Sequence, residues 1–162
     1  MSQIKVGDTL PDATFAVMTS DGPGQRTSAE IFDGRKVAVF ALPGAFTPTC
    51  NANHLPSFVA QAGALKAKGV EEICCVSVND VFVQDAWSKA TASGDAITML
   101  ADGSAAFTKA AGMELDLTER GLGVRSHRYA MIVEDGTVAT LLIENSPGEA
   151  VASSADALLA AM

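Results

Sequence analysis

Lys36-Val37-Ala38-Val39-Phe40-Ala41-Leu42-Pro43-Gly44-Ala45-Phe46-Thr47-Pro48-Thr49-Cys50 is the stretch on which the fold turns. After Lys36 its first part is an unbroken apolar run to Leu42, the pattern of a strand whose sheet is covered on both faces. Beyond Cys50, the residues Leu55, Phe58, Val59, Ala62 and Leu65 recur at i, i+3, i+4, i+7 and i+10. This spacing predicts one buried helix face, ending near Lys68 with Gly69 just past the end. Pro56 removes a helical hydrogen bond, so the helix either kinks there or becomes regular only from Leu55. Glu72 to Val78 is a second buried-strand run, and the helix connects the two strands.

Further along, Val81 to Ala92 reads as a helix, Ile97 to Ala101 as a short strand and Ser104 to Ala111 as a short helix. Tyr129 to Glu134, the Asp135-Gly136 turn and Thr137 to Ile143 carry the strongest hairpin signal of the chain. Ser153 or Ser154 is placed to cap a last helix running through Leu159. Towards the N-terminus, Asp21-Gly22-Pro23-Gly24 and Asp33-Gly34 read as turns between short elements. The order predicts the α/β class and suits a thioredoxin-like fold: a central mixed sheet flanked by helices, with extra N-terminal strands. No linker or repeat divides residues 1–162, so a single domain is expected.

Composition narrows the function. The chain has 162 residues, 48% hydrophobic and 19% charged, enough for one globular core. Eleven Lys and Arg against nineteen Asp and Glu give a net charge of −8, which opposes binding to nucleic acid or an anionic membrane surface. The start resembles no secretory signal, and no stretch approaches the roughly 18 apolar residues of a membrane span. A soluble protein of the cytoplasm is expected. Three cysteines are too few and too odd for a disulfide framework, which turns attention to metal binding or thiol chemistry.

Of the three, Cys50 stands out. It follows a buried strand and opens a helix, the place where ligands meet the carboxyl ends of strands in an open α/β sheet. A helix N-terminus favours thiolate over thiol, and the thiolate is the nucleophile. Thr47 and Thr49 offer hydroxyls to the sulfur or to an oxygen bound beside it, while Pro43 and Pro48 stiffen the loop. A cysteine is most often a small buried hydrophobe, but a polar, proline-stiffened turn is a poor place for packing. There is no Cys-x-x-Cys, no phosphate loop and, at Gly121-Leu122-Gly123, no complete dinucleotide fingerprint, so no cofactor is expected. Cys50 and His54 form a Cys-x₃-His spacing that lacks the second pair a metal site needs, so no metal is expected.

Pro43-Gly44-Ala45-Phe46-Thr47-Pro48-Thr49-Cys50 resembles the active-site motif of the peroxiredoxins, and its Gly-Ala-Phe-Thr form is similar to the type II (atypical, fifth-type) subfamily. His54-Leu55-Pro56, Ser77-Val78-Asn79-Asp80 and Arg125-Ser126-His127-Arg128-Tyr129-Ala130-Met131 extend the resemblance over essentially the whole chain. It implies that Cys50 attacks hydrogen peroxide or an alkyl hydroperoxide, becoming a sulfenic acid. It implies Thr47 and Arg128 as partners of Cys50, and a substrate pocket of Pro43, Gly44, Phe46 and His54. Arg128 is suited to this because its charge persists at every relevant pH and lowers a neighbouring thiol's pKa. Arg125 reads equally well as functional or as an ordinary arginine. The resemblance also implies a homodimer packed near the active site.

Something must then reduce the sulfenate. Cys74 and Cys75 lie on one strand and point to opposite faces, so at most one approaches Cys50. The family makes Cys75 a possible resolving partner, although a strand-buried thiol is inert by default. Residues 144–153, where other atypical members place a resolving cysteine, contain none. The expectation is therefore a one-cysteine cycle in which glutathione or a glutaredoxin reduces Cys50 from outside. The competing reading is a peroxide-sensing relay that passes oxidation to a partner without steady turnover.

Overall fold

The computed structural model describes residues 2–146 and 148–162. A seven-stranded sheet runs through the molecule in the order β2-β1-β5-β4-β3-β8-β9. Its centre is parallel: β3 (Lys36–Ala41) lies beside β4 (Glu72–Ser77), and β4 beside β5 (Thr98–Ala101). The flanks are antiparallel. On one side the hairpin of β8 (Tyr129–Glu134) and β9 (Thr137–Ile143) pairs with β3, with the predicted bounds. On the other, β1 (Thr14–Thr19) and β2 (Gly22–Thr27) form the extra N-terminal hairpin, joined to β5 through β1. Gly22, Pro23 and Gly24 belong to the edge strand β2 rather than to a turn, since an edge strand tolerates a proline without a ladder donor. The sequence-based α/β, thioredoxin-like reading of the fold stands.

Alternation along β3 explains why its run is wholly apolar. Val37, Val39 and Ala41 enter one core cluster with Phe15, Phe32, Phe107 and Tyr129, against α1 (Ser28–Phe32) and α5 (Ala106–Ala110). Ala38, Phe40 and Leu42 enter the other, with Cys50, Leu55, Phe58, Leu65, Trp87 and Leu158. That second face is covered by α2 (Leu55–Ala60), α3 (Ala62–Ala67), α4 (Val81–Thr91) and α6 (Ala155–Ala161). Two features differ from the helical periodicity. The helix breaks at Gln61, and Val59 is surface-exposed rather than buried beside Phe58. Ser154, not Ser153, caps α6 by accepting from the Ala157 N–H. A small antiparallel ribbon, β6 (Glu114–Leu117) with β7 (Gly123–Ser126), carries Arg125 and was not expected from the sequence.

Candidate active site

The site is assembled where β3 ends. Helical backbone begins at Pro48, so Cys50 lies in a first turn, whose N–H groups have no intrahelical acceptor. From Cys50 to His54 the turn is π-helical, and the Leu55 N–H donates to the Cys50 carbonyl. Pro56 accounts for the widening: it cannot donate to the Ala52 carbonyl and its ring crowds that oxygen. Regular α-helix then starts at Leu55, with the proline in the first turn of α2 where its missing donor costs nothing.

Two side chains from outside the segment, Asn79 and Arg125, hold the preceding turn. Asn79 Oδ1, after β4, accepts from the Ala45 N–H at 3.0 Å and from the Ser77 hydroxyl at 3.0 Å. Arg125 donates from Nη1 to the Pro43 carbonyl at 3.2 Å and from Nε to the Leu122 carbonyl at 2.8 Å. Its guanidinium lies so close over Gly44 that a Cβ there would sit 2.5 Å from Nη1, so a larger residue would have to displace this arginine. The Thr47 hydroxyl donates to the Gly44 carbonyl at 2.7 Å. Phe46 adopts a positive φ of 64° and is half exposed, its ring centroid 6.4 Å from that of Trp87. Trp87 in turn donates to Asn51 Oδ1 at 2.9 Å.

Cys50 and His54, one turn apart, share one arginine. Arg128 precedes β8 and donates from Nη2 to Cys50 Sγ at 3.1 Å and from Nη1 to His54 Nδ1 at 3.0 Å. All three side chains are buried. The His54 ring packs against Phe40 and Phe58, which themselves stack at 4.1 Å. Burial in that apolar setting, then the Arg128 charge, pushes the His54 pKa down to about 4, so the ring is neutral near pH 7. Thus Cys50, His54 and Arg128 converge, with Pro43, Gly44 and Thr47 in the turn beside them and Phe46 on its outer surface.

The other thiols sit differently. Cys74 belongs to the core cluster on the far face of the sheet and Cys75 to the cluster that holds Cys50. Burial pushes both pKa values up, and the nearby Cys50 adds to the rise at Cys75. Among the described residues no group of three or more His, Cys, Asp and Glu side chains is arranged to hold a metal, and no helix is long and apolar enough to cross a membrane.

The redoxin family model matches residues 5–159. Peroxiredoxin-2B of Arabidopsis thaliana is 45% identical over 163 residues, covering all of both chains. A chloroplastic peroxiredoxin-2E-2 of Oryza sativa is 48% identical over 167 residues, all of this chain and 74% of the relative. The chain belongs to the redoxin family, as a type II peroxiredoxin. The reduced Prx3 of Vibrio vulnificus in complex with hydrogen peroxide superposes on this peroxiredoxin with a TM-score of 0.92 at 49% identity, covering 98% of this chain and 99% of that one. Thiol-dependent peroxidase activity and an antioxidant role follow from this membership. Arg125, which the sequence leaves open between a functional and an ordinary role, supports the site, as do three residues the sequence does not assign to it: Asn79, Ser153, whose carbonyl meets His54 Nε2 at 2.9 Å, and Glu144, which accepts from the Ser153 N–H. Asn79 and Arg125 both lie in segments that carry the family resemblance, Ser77 to Asp80 and Arg125 to Met131, which is the signal that marks them.

Proposed function

We propose that this peroxiredoxin reduces hydrogen peroxide and alkyl hydroperoxides with Cys50 as the nucleophile, and that glutathione, assisted by a glutaredoxin, regenerates it. The observation that carries the reading is the 3.1 Å contact from Arg128 Nη2 to the buried Cys50 sulfur. An always-charged donor there stabilises negative charge on sulfur and stands ready for the oxygen the sulfur attacks. The thiolate displaces one peroxide oxygen: an S–O bond forms, the O–O bond breaks, and the departing hydroxide or alkoxide takes a proton to leave as water or alcohol. Thr47 donates to the second oxygen by exchanging its bond to the Gly44 carbonyl. One glutathione thiolate then attacks the sulfenic sulfur, releasing water and forming a mixed disulfide, and a second thiol releases Cys50 and oxidised glutathione.

An external reductant is favoured because Cys74 and Cys75 are held as protonated thiols inside a central strand and residues 144–153 lack a cysteine. Three free buried cysteines suit a reducing compartment, and the cytoplasm is the proposed site of action. The active unit is proposed to be a homodimer. The test couples NADPH oxidation to peroxide consumption with glutathione and glutaredoxin or with thioredoxin. Sustained turnover is expected with the former, lost in Cys50→Ser and kept in Cys75→Ser. A burst of about one equivalent with every reductant would support the relay instead. Turnover confined to thioredoxin, or a quantitative Cys50–Cys75 disulfide in peroxide-treated protein, would refute the one-cysteine cycle.

A further inference from the structure

Behind Arg128 lies a line of buried hydrogen bonds that ends in the loop between β9 and α6. His54 Nε2 donates to the Ser153 carbonyl at 2.9 Å and lies 3.3 Å from the Ser153 hydroxyl. The Ser153 hydroxyl and N–H both donate to Glu144 Oε2, the latter at 2.7 Å. Glu144 Oε1 accepts from the N–H groups of Val151 at 3.2 Å and Ala152 at 3.0 Å. Glu144 is anchored by its own N–H, which donates to the Arg128 carbonyl at 2.9 Å. Glu144 is 7% exposed and Ser153 fully buried, so water does not readily replace these bonds.

The donors and acceptors permit only one arrangement of the imidazole. An arginine nitrogen has protons and no lone pair, so Nδ1 must be the bare acceptor. A carbonyl only accepts, so Nε2 must carry the proton. We infer that Glu144 and Ser153 are positioning residues for peroxide reduction: by clamping the 151–153 segment they fix the Nε2–H tautomer of His54, whose Nδ1 lone pair then holds the Arg128 guanidinium on Cys50. Without the clamp the Ser153 carbonyl leaves Nε2 and the proton is free to move to Nδ1. There it opposes an arginine N–H donor to donor and drives the guanidinium away from the sulfur. The four hydrogen bonds that Glu144 accepts hold its carboxyl below the usual carboxylate range despite burial, in keeping with an ionised clamp. A second tie, from the Thr49 hydroxyl to the Gly148 carbonyl at 2.9 Å, fastens the same loop to the residue before Cys50.

This inference rests on Cys50 being the peroxide-reactive thiol, so Cys50→Ser is the control: persistent oxidation in that variant would sink the assignment of Cys50 and not the clamp. Oxidation of Cys50 is followed by stopped-flow fluorescence of the single tryptophan, which is bonded to Asn51 in the next position, and by mass spectrometry of the Cys50 peptide after quenching. The His54 tautomer is read independently in the reduced protein from long-range proton–nitrogen NMR correlations. Wild type should show the Nε2–H form alone. Glu144→Ala should oxidise about tenfold more slowly and show mixed tautomers. Glu144→Gln keeps one acceptor oxygen and should fall between the two. Ser153→Ala removes a single hydroxyl while keeping every backbone bond, and should slow oxidation by a few-fold. It carries the test alone if Glu144→Ala does not fold. An Nδ1–H ring in wild type, wild-type oxidation rates in the variants, or slower oxidation with an unchanged tautomer would each overturn the inference.

Discussion

His54 illustrates how one side chain couples stability to acidity. Its pKa is pushed down to about 4 in the folded protein, whereas an unfolded histidine titrates near 6.5. Between those values the unfolded chain binds a proton that the folded one refuses, so stability falls as pH drops from 6.5 to 4 and this contribution levels off below. The loss amounts to roughly 3 kcal/mol over the window. Denaturation midpoints followed by circular dichroism should show this slope in wild type and a much flatter one in His54→Gln. An identical slope in the variant would locate the titrating group elsewhere. Cys50 is legible in the sequence as the candidate nucleophile because a polar, proline-stiffened turn is an odd setting for a packing cysteine. Glu144 and Ser153 left no such mark. Their meaning arises from contacts with His54 across 99 residues of chain in the case of Ser153, and no local spacing records a contact of that kind.

Elements with uniform local causes are legible in the sequence, and those shaped by competition are not. The β8–β9 hairpin follows from two β-rich runs around Asp135-Gly136, both of whose residues adopt the positive φ that such a turn requires. The start of regular α-helix at Leu55 follows from Pro56, but the π-helical turn before it depends on how the chain reconciles that proline with a helix already begun at Pro48. The β6–β7 ribbon has only four residues a side and a weak pattern. Between the strands, Glu72 acts as a fastener. It accepts from Arg26 of β2 at 2.8 and 3.0 Å, from Arg35 before β3 at 2.9 Å and from Thr98 of β5 at 2.6 Å. Burial alone would raise its pKa, but Arg26, Thr98 and Arg35 together bring it down to about 2. The depressed value means that this fastening is complete above about pH 4.5 and is lost as pH falls through 2. Glu72→Gln should therefore lower the unfolding midpoint at neutral pH and remove part of the acid dependence between 4.5 and 2. Equal midpoints for the two proteins at pH 7 would show that the cluster contributes nothing measurable.

At the scale of the whole molecule, the proposed homodimer sets apolar attraction against charge. Phe82 is 64% exposed and Val83 36%, both at the start of α4, and Val83 lies one turn from the Trp87 against which the half-exposed Phe46 rests. These side chains offer an apolar surface beside the active-site turn, of the kind that marks an interface. Each chain also carries a net charge of −8, so two copies repel one another over distances that salt shortens to about 8 Å under physiological conditions. Association should then tighten as salt rises from low to physiological concentration, opposite to a contact built on ion pairs. Sedimentation velocity at micromolar concentration should show a dimer, with Phe82→Lys shifted to monomer and its circular dichroism unchanged, because that side chain supports no core. Since Phe46 stands in the turn that leads to Cys50, the monomeric variant should also reduce peroxide more slowly. Monomeric wild type at every salt concentration would remove the dimer from the proposal, and wild-type rates in a monomeric Phe82→Lys would separate dimerisation from catalysis.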